Sequence, residues 1–98
     1  MTTDEVIAMR KIQAILVRNY VNTAKVGIDV HGTSVYLSGV LELGDVKTND
    51  PTVLMTAVKK ACLSIESEIR RGGSGIHDIQ WKLRNWEKQG NRFMPKKG

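Results

Sequence analysis

Apolar residues at Val6, Met9, Ile12, Leu16 and Tyr20 recur at steps of three and four, the repeat of one face of a helix. Lys11 and Arg18 fall on the opposite face. Thr2 and Glu5 stand at capping-box spacing, and Asp4 and Glu5 suit the positive end of the helix dipole. The pattern predicts a helix from about residue 3 to 20, with Asn22 as its stop.

The period then changes to two. Val26, Ile28 and Val30 alternate with polar positions, and after His31-Gly32-Thr33-Ser34 the alternation resumes at Val35, Leu37 and Leu41. Two strands, roughly 25–31 and 34–43, are joined too closely for a crossover and read as an antiparallel hairpin with one covered face. Lys25, Asp29, Tyr36, Ser38 and Glu42 point outward, and Val40 is a small misfit on that side. The glycine among small polar residues makes Gly32 the turn.

Residues 43–51 carry turn chemistry, and Asp50-Pro51 is a helix entry: a capping carboxylate followed by proline at the first helical position. Leu54, Val58, Ala61, Ile65 and Ile69 form the inner stripe of a second helix, with Ala57 and Cys62 beside it and Lys59, Lys60, Glu66 and Arg70 outside. Arg70-Arg71-Gly72 closes the helix with cations at its negative end and a glycine just past it. Residues 75–83 alternate again, with Ile79, Trp81 and Leu83 on one side of a third strand. The order is αββαβ: an α+β sandwich with two helices on one face of a three-stranded mixed sheet. The link through the second helix lets strands two and three run parallel by a right-handed crossover.

Gly39 takes an inward position in the second strand. Glycine inside a strand marks a bulge or a close backbone approach. Small Ala57 and Ala61 on the second helix point to close helix-to-sheet packing as the reason.

Composition adds a division of charge. Of 98 residues, 41% are hydrophobic, 26% charged and only 5% aromatic, so this is one domain with an aliphatic core. A single cysteine, Cys62, excludes an internal disulfide. The acidic N-terminus is unlike a signal peptide, which predicts a cytoplasmic location if the chain is full length. Lys82, Arg84, Lys88, Arg92, Lys96 and Lys97 face one acid, Glu87, in the last seventeen residues, and so supply the whole net charge of +5. The division predicted is a neutral domain over 1–83 and a basic tail over 84–98.

The run from the first helix through "VGIDVHGTSVYLSGVL", an alanine-bearing helix and "GIHDIQWKL" resembles the BON domain, the bacterial osmotic-stress and nodulation module. Gly32 matches its turn, Val35-Tyr36-Leu37-Ser38-Gly39 its second strand, and Gly75, Ile76, Ile79 and Leu83 its closing strand. The likeness covers about residues 6 to 83. It implies the αββαβ fold and a non-enzymatic interaction module, often associated with phospholipid surfaces and frequently exported. The chain departs from the pattern in lacking an export signal, in a longer segment after Val40, in "RRGGSG" before the third strand, and in the basic tail.

Chemistry is otherwise sparse. Gly72 to Gly75 is formally a Gly-x-x-Gly, but it joins a helix to a strand, whereas a KH clamp joins two helices. Gly72 and Gly75 therefore read as structural. His31 and His77 lack partners at metal-ligand spacing, Ser38 has no evident base, and Asp45, Asn49 and Asp50 lack calcium-loop spacing. Neither an enzyme nor a cofactor is expected. The binding candidates are Lys82, Arg84, Lys88, Arg92, Lys96 and Lys97, interleaved with Trp86 and Phe93. Such a tail suits an anionic phospholipid surface, where aromatics settle at the interface, or a partner protein. Nucleic acid is the alternative, with Trp86 or Phe93 stacking on an unpaired base. In the bland reading the tail is a solvated end with Trp86 capping the core. The exposed edges of the sheet leave a homodimer open.

Overall fold

In the computed structural model, which describes residues 3–73, 75–90 and 92–96, the first helix, α1, spans Thr3–Arg18. Thr2 of the expected capping box lies outside the described residues; Glu5 accepts a hydrogen bond from the Gly32 amide at 3.1 Å. The helix stops before Asn22 because the chain turns left-handed at Tyr20 (φ 63). There the Val21 amide donates to the Leu16 carbonyl and the Tyr20 amide to Val17, both at 3.0 Å. This is a Schellman closure with tyrosine where glycine is usual. The left-handed residue costs about 1–2 kcal/mol, offset by burial of Val21 against Leu16. Tyr20 is thrown outward and is 62% exposed, so it leaves the expected stripe. Ala8, Ile12, Ile15 and Leu16 form the buried face instead. Asn22 caps the short 3-10 turn Thr23–Lys25.

Strands β1 (Val26–His31) and β2 (Ser34–Gly39) pair antiparallel, with Val30 opposite Val35 and Ile28 opposite Leu37. The turn between them holds two residues, Gly32 (φ 60) and Thr33, with glycine first as a type II′ turn requires. Helix α2 (Pro51–Arg71) begins on the Asp50 cap, whose carboxylate accepts from the Thr52 amide at 2.9 Å. It returns the chain to β3 (Asp78–Leu83), which lies parallel to β2. The order β1-β2-β3 makes the mixed three-stranded sheet of the expected α+β fold. Val30, Val35, Leu37, Ile79 and Leu83 on its inner face share one core with the helices. The outer face carries Asp29, His31, Tyr36, Ser38, Gln80 and Lys82, all exposed or half-exposed.

The structure assigns Gly39 a different reason from the helix approach expected. Its φ is +97, and a side-chain carbon added there would stand 2.2 Å from the Lys25 carbonyl oxygen. The crowding comes from the backbone at the entrance to β1, not from Ala57 or Ala61. This turn ends β2 at Gly39, short of residue 43. Beyond it the chain follows another course: Val40 donates to the Lys25 carbonyl, and Asn22 donates to that of Glu42.

The chain does not trail away after β3. Trp86–Gln89 (β4) and Arg92–Pro95 (β5) form an antiparallel pair, and Trp86 and Phe93 belong to the core at 5% and 2% exposure. The described part of the expected tail is thus a hairpin packed on the domain.

Two mechanisms for Gly39 are separable by the size of its replacement. Gly39→Ala is expected to destabilise by about 2–3 kcal/mol, from a left-handed backbone and a clash that any side chain meets. A urea melt in which alanine is tolerated and only leucine is costly would restore the helix-packing account.

Candidate functional site

Gly-Asn at 90–91 between two short runs is a two-residue hairpin signal, and Gly90 takes the positive φ of 62 that such a turn needs. In the register, Lys88 is opposite Phe93 and Trp86 is opposite Pro95, so these share the face turned to the body. Glu87, Gln89, Arg92 and Met94 take the other face. Three residues at the open end of the hairpin, Arg84, Asn85 and Lys96, fix its position. The Arg84 amide donates to the Gly39 carbonyl at 2.7 Å. The Asn85 side chain both donates to and accepts from the backbone of Leu41, at 2.9 and 3.0 Å. The Lys96 ammonium donates to the Leu83 carbonyl at 2.9 Å.

Under the hairpin lies a buried carboxylate. Glu66 of α2 is 4% exposed. Its Oε1 accepts from the Trp81 indole nitrogen at 2.8 Å and from the Lys88 ammonium at 2.9 Å, and Arg70 stands 3.9 Å from Oε2. Trp81 meets Phe93 edge-on at 5.8 Å between ring centres. The expectation that Glu66 faces outward fails because the hairpin covers that side of α2. The sign was present: Glu66 sits four residues after Cys62 and three before Ile69, within the buried stripe.

The site residues named from sequence therefore divide. Trp86 and Phe93 are core residues and offer no ring to a membrane interface or a base. Lys88 is committed to Glu66. Lys82, Arg84 and Arg92 are exposed and form no ion pair among the described residues. Lys96 is exposed beside Leu83. Lys97 lies outside the described residues. Lys82, Lys88 and Lys96 are brought together with Gln80 and Glu87 around an open cleft of about 430 Å³ between β3 and β4. The arrangement supplies positive charge and hydrogen-bond donors to an anion.

Elsewhere the polar groups pair locally. On the outer face of the sheet, His31 contacts Asp29 at 2.9 Å, and the Ser34 hydroxyl contacts Asp78 at 3.3 Å. No group of three or more His, Cys, Asp or Glu side chains gathers as a metal site among the described residues. Gly72 ends α2 as expected, its amide donating to Glu68 at 2.8 Å, and Gly75 takes a φ of 79 before β3. No described helix is long and apolar enough to cross a membrane. Compared with protein-family models, curated proteins and solved structures, the chain shows no match.

Burial and the nearby Glu66 charge push the Cys62 thiol up to about 12, with Lys88 opposing. The unfolded thiol, near its ordinary 9.0, loses its proton first. Its contribution to stability is full below pH 9 and drains between pH 9 and 12, by at most about 1.4 kcal/mol per pH unit. Denaturant melts across that window are expected to show a steeper decline than those of Cys62→Ala, and parallel curves for the two proteins would refute it. Lys88→Met is expected to cost about 2–3 kcal/mol by leaving the Glu66 carboxylate short of its cation. Lys82→Met is expected to stay within about 0.5 kcal/mol, and equal losses in thermal melts would remove the special role of Lys88.

Proposed function

We propose that this chain is a non-enzymatic binding module of BON type that attaches to anionic phospholipid surfaces through the cations displayed around its C-terminal hairpin. The observation that carries the reading is a set of exposed cations on and beside the hairpin: Lys82 and Lys96 at one cleft, and Arg84 and Arg92 with no ion pair among the described residues. The pattern of glycines and alternating strands that resembles the BON domain supports the same reading. Burial of Trp86 and Phe93 removes aromatic insertion from the mode of attachment and leaves electrostatics.

Magnitude then sets the character of the interaction. Each cation contributes about 1 kcal/mol near an anionic leaflet, so Lys82, Arg84, Arg92 and Lys96 together supply about 4 kcal/mol. A free energy of that size corresponds to dissociation in the millimolar range. Attachment by these charges alone is weak, reversible and screened by salt. A nucleic-acid partner would meet the same charges without a stacking platform at Trp86 or Phe93.

Sedimentation with anionic and with neutral vesicles, at low and at physiological salt, tests the proposal. Binding is expected only to the anionic vesicles, weakening with salt, and the quadruple charge reversal of Lys82, Arg84, Arg92 and Lys96 is expected to abolish it. Preference for a single-stranded oligonucleotide over those vesicles would transfer the cationic surface to nucleic acid.

A further inference from the structure

The opposite edge of the hairpin is built differently. Between α2 and β5 lies a groove of about 270 Å³ lined by Met55, Thr56, Lys59, Arg92, Phe93 and Met94. Phe93 is 2% exposed and belongs to the core. Met55 and Met94 are half-buried, and Lys59 and Arg92 are exposed. The groove therefore offers an apolar surface with two thioethers, side chains that adapt readily to irregular apolar shapes, and two cations. Neither cation forms an ion pair among the described residues.

Apolar lining and positive charge select one class of occupant. A bare inorganic anion gains nothing from the methionines, and a neutral apolar group gains nothing from Lys59 and Arg92. An anionic amphiphile satisfies both. The volume falls just below the usual range for a whole small-molecule site, which fits the upper part of one acyl chain and not an entire lipid.

We infer that this groove seats one anionic lipid of the leaflet, with its charged head against Lys59 and Arg92 and its first methylenes on Met55 and Met94. This rests on the surface-binding reading above and supplies what that reading lacks. Charge alone gives marginal attachment, and a second, apolar contact is the usual route to a lasting one. Arg92 is one of the four cations counted in that reading and also lines this groove.

The test uses the full chain with isotope-labelled methionine methyl groups, observed by NMR. Titration with decanoate, a soluble anionic amphiphile, is expected to shift the Met55 and Met94 methyl signals saturably, whereas inorganic phosphate leaves them in place. Octyl glucoside, which is neutral, is expected to bind about thirtyfold more weakly, the loss of two charged contacts. Lys59→Glu with Arg92→Glu is expected to weaken decanoate binding by a similar factor. Met55→Gln and Met94→Gln, with their fold checked by thermal melt, are expected to reduce partition onto phosphatidylglycerol vesicles while leaving its salt dependence intact. Silent methyl signals in a protein that still binds those vesicles would overturn the groove and leave the surface reading standing. Response to decanoate without any vesicle binding would overturn the leaflet as the source of the ligand, and the surface reading with it.

Discussion

The architecture at the C-terminal end depends on one buried charge. Glu66 sits inside the apolar face of α2, where an unpaired carboxylate would cost several kcal/mol. The Trp81 indole from β3 and the Lys88 ammonium from β4 satisfy it at 2.8 and 2.9 Å. Those two donors come from consecutive strands, so the hairpin must dock for the carboxylate to be complete. Docking in turn lays Trp86 and Phe93 over the core. The pair adds position more than stability. Lys88 remains 34% exposed in its side chain, and part of its charge is still hydrated.

That arrangement separates two uses of positive charge that look alike in sequence. Lys88 holds the hairpin down, whereas Lys82, Arg84 and Arg92 have no acidic partner among the described residues. The same hairpin divides two surfaces. Its β4 edge borders the lysine cleft, and its β5 edge borders the groove of Met55 and Met94. A small two-stranded element thus places a lysine-rich surface beside a mixed apolar and cationic one.

Most of the fold was legible because its periods are clean. Val26 to Leu41 alternates with a glycine turn at the expected place, and Asp50-Pro51 opens α2 as a capped entry. The errors have local physical causes. Tyr20 adopts a left-handed cap that no hydrophobic period reveals. Gly39 responds to a carbonyl from Lys25, a contact that alternation does not encode. The candidate site was legible only as a list of cations. The Gly-Asn pair at 90–91 is the local signal that makes Trp86, Lys88 and Phe93 a hairpin and not a tail. Glu66 is charged, yet its position in the stripe, between Cys62 and Ile69, is what decides its burial. Which lysine is committed and which is available depends on a contact between residues 22 positions apart.

The placement of β2 between an antiparallel and a parallel neighbour has a consequence for how the molecule breathes. Amides of the central strand around Val35 and Leu37 lie within a ladder closed on both sides, and those residues are fully buried. Their deuterium uptake is expected to require complete unfolding. Amides of β4 and β5, tied to a two-stranded sheet and one buried carboxylate, are expected to exchange through a cheaper opening that leaves the main sheet intact. The chain would then fluctuate as two cooperative units, with Glu66 at the seam between them.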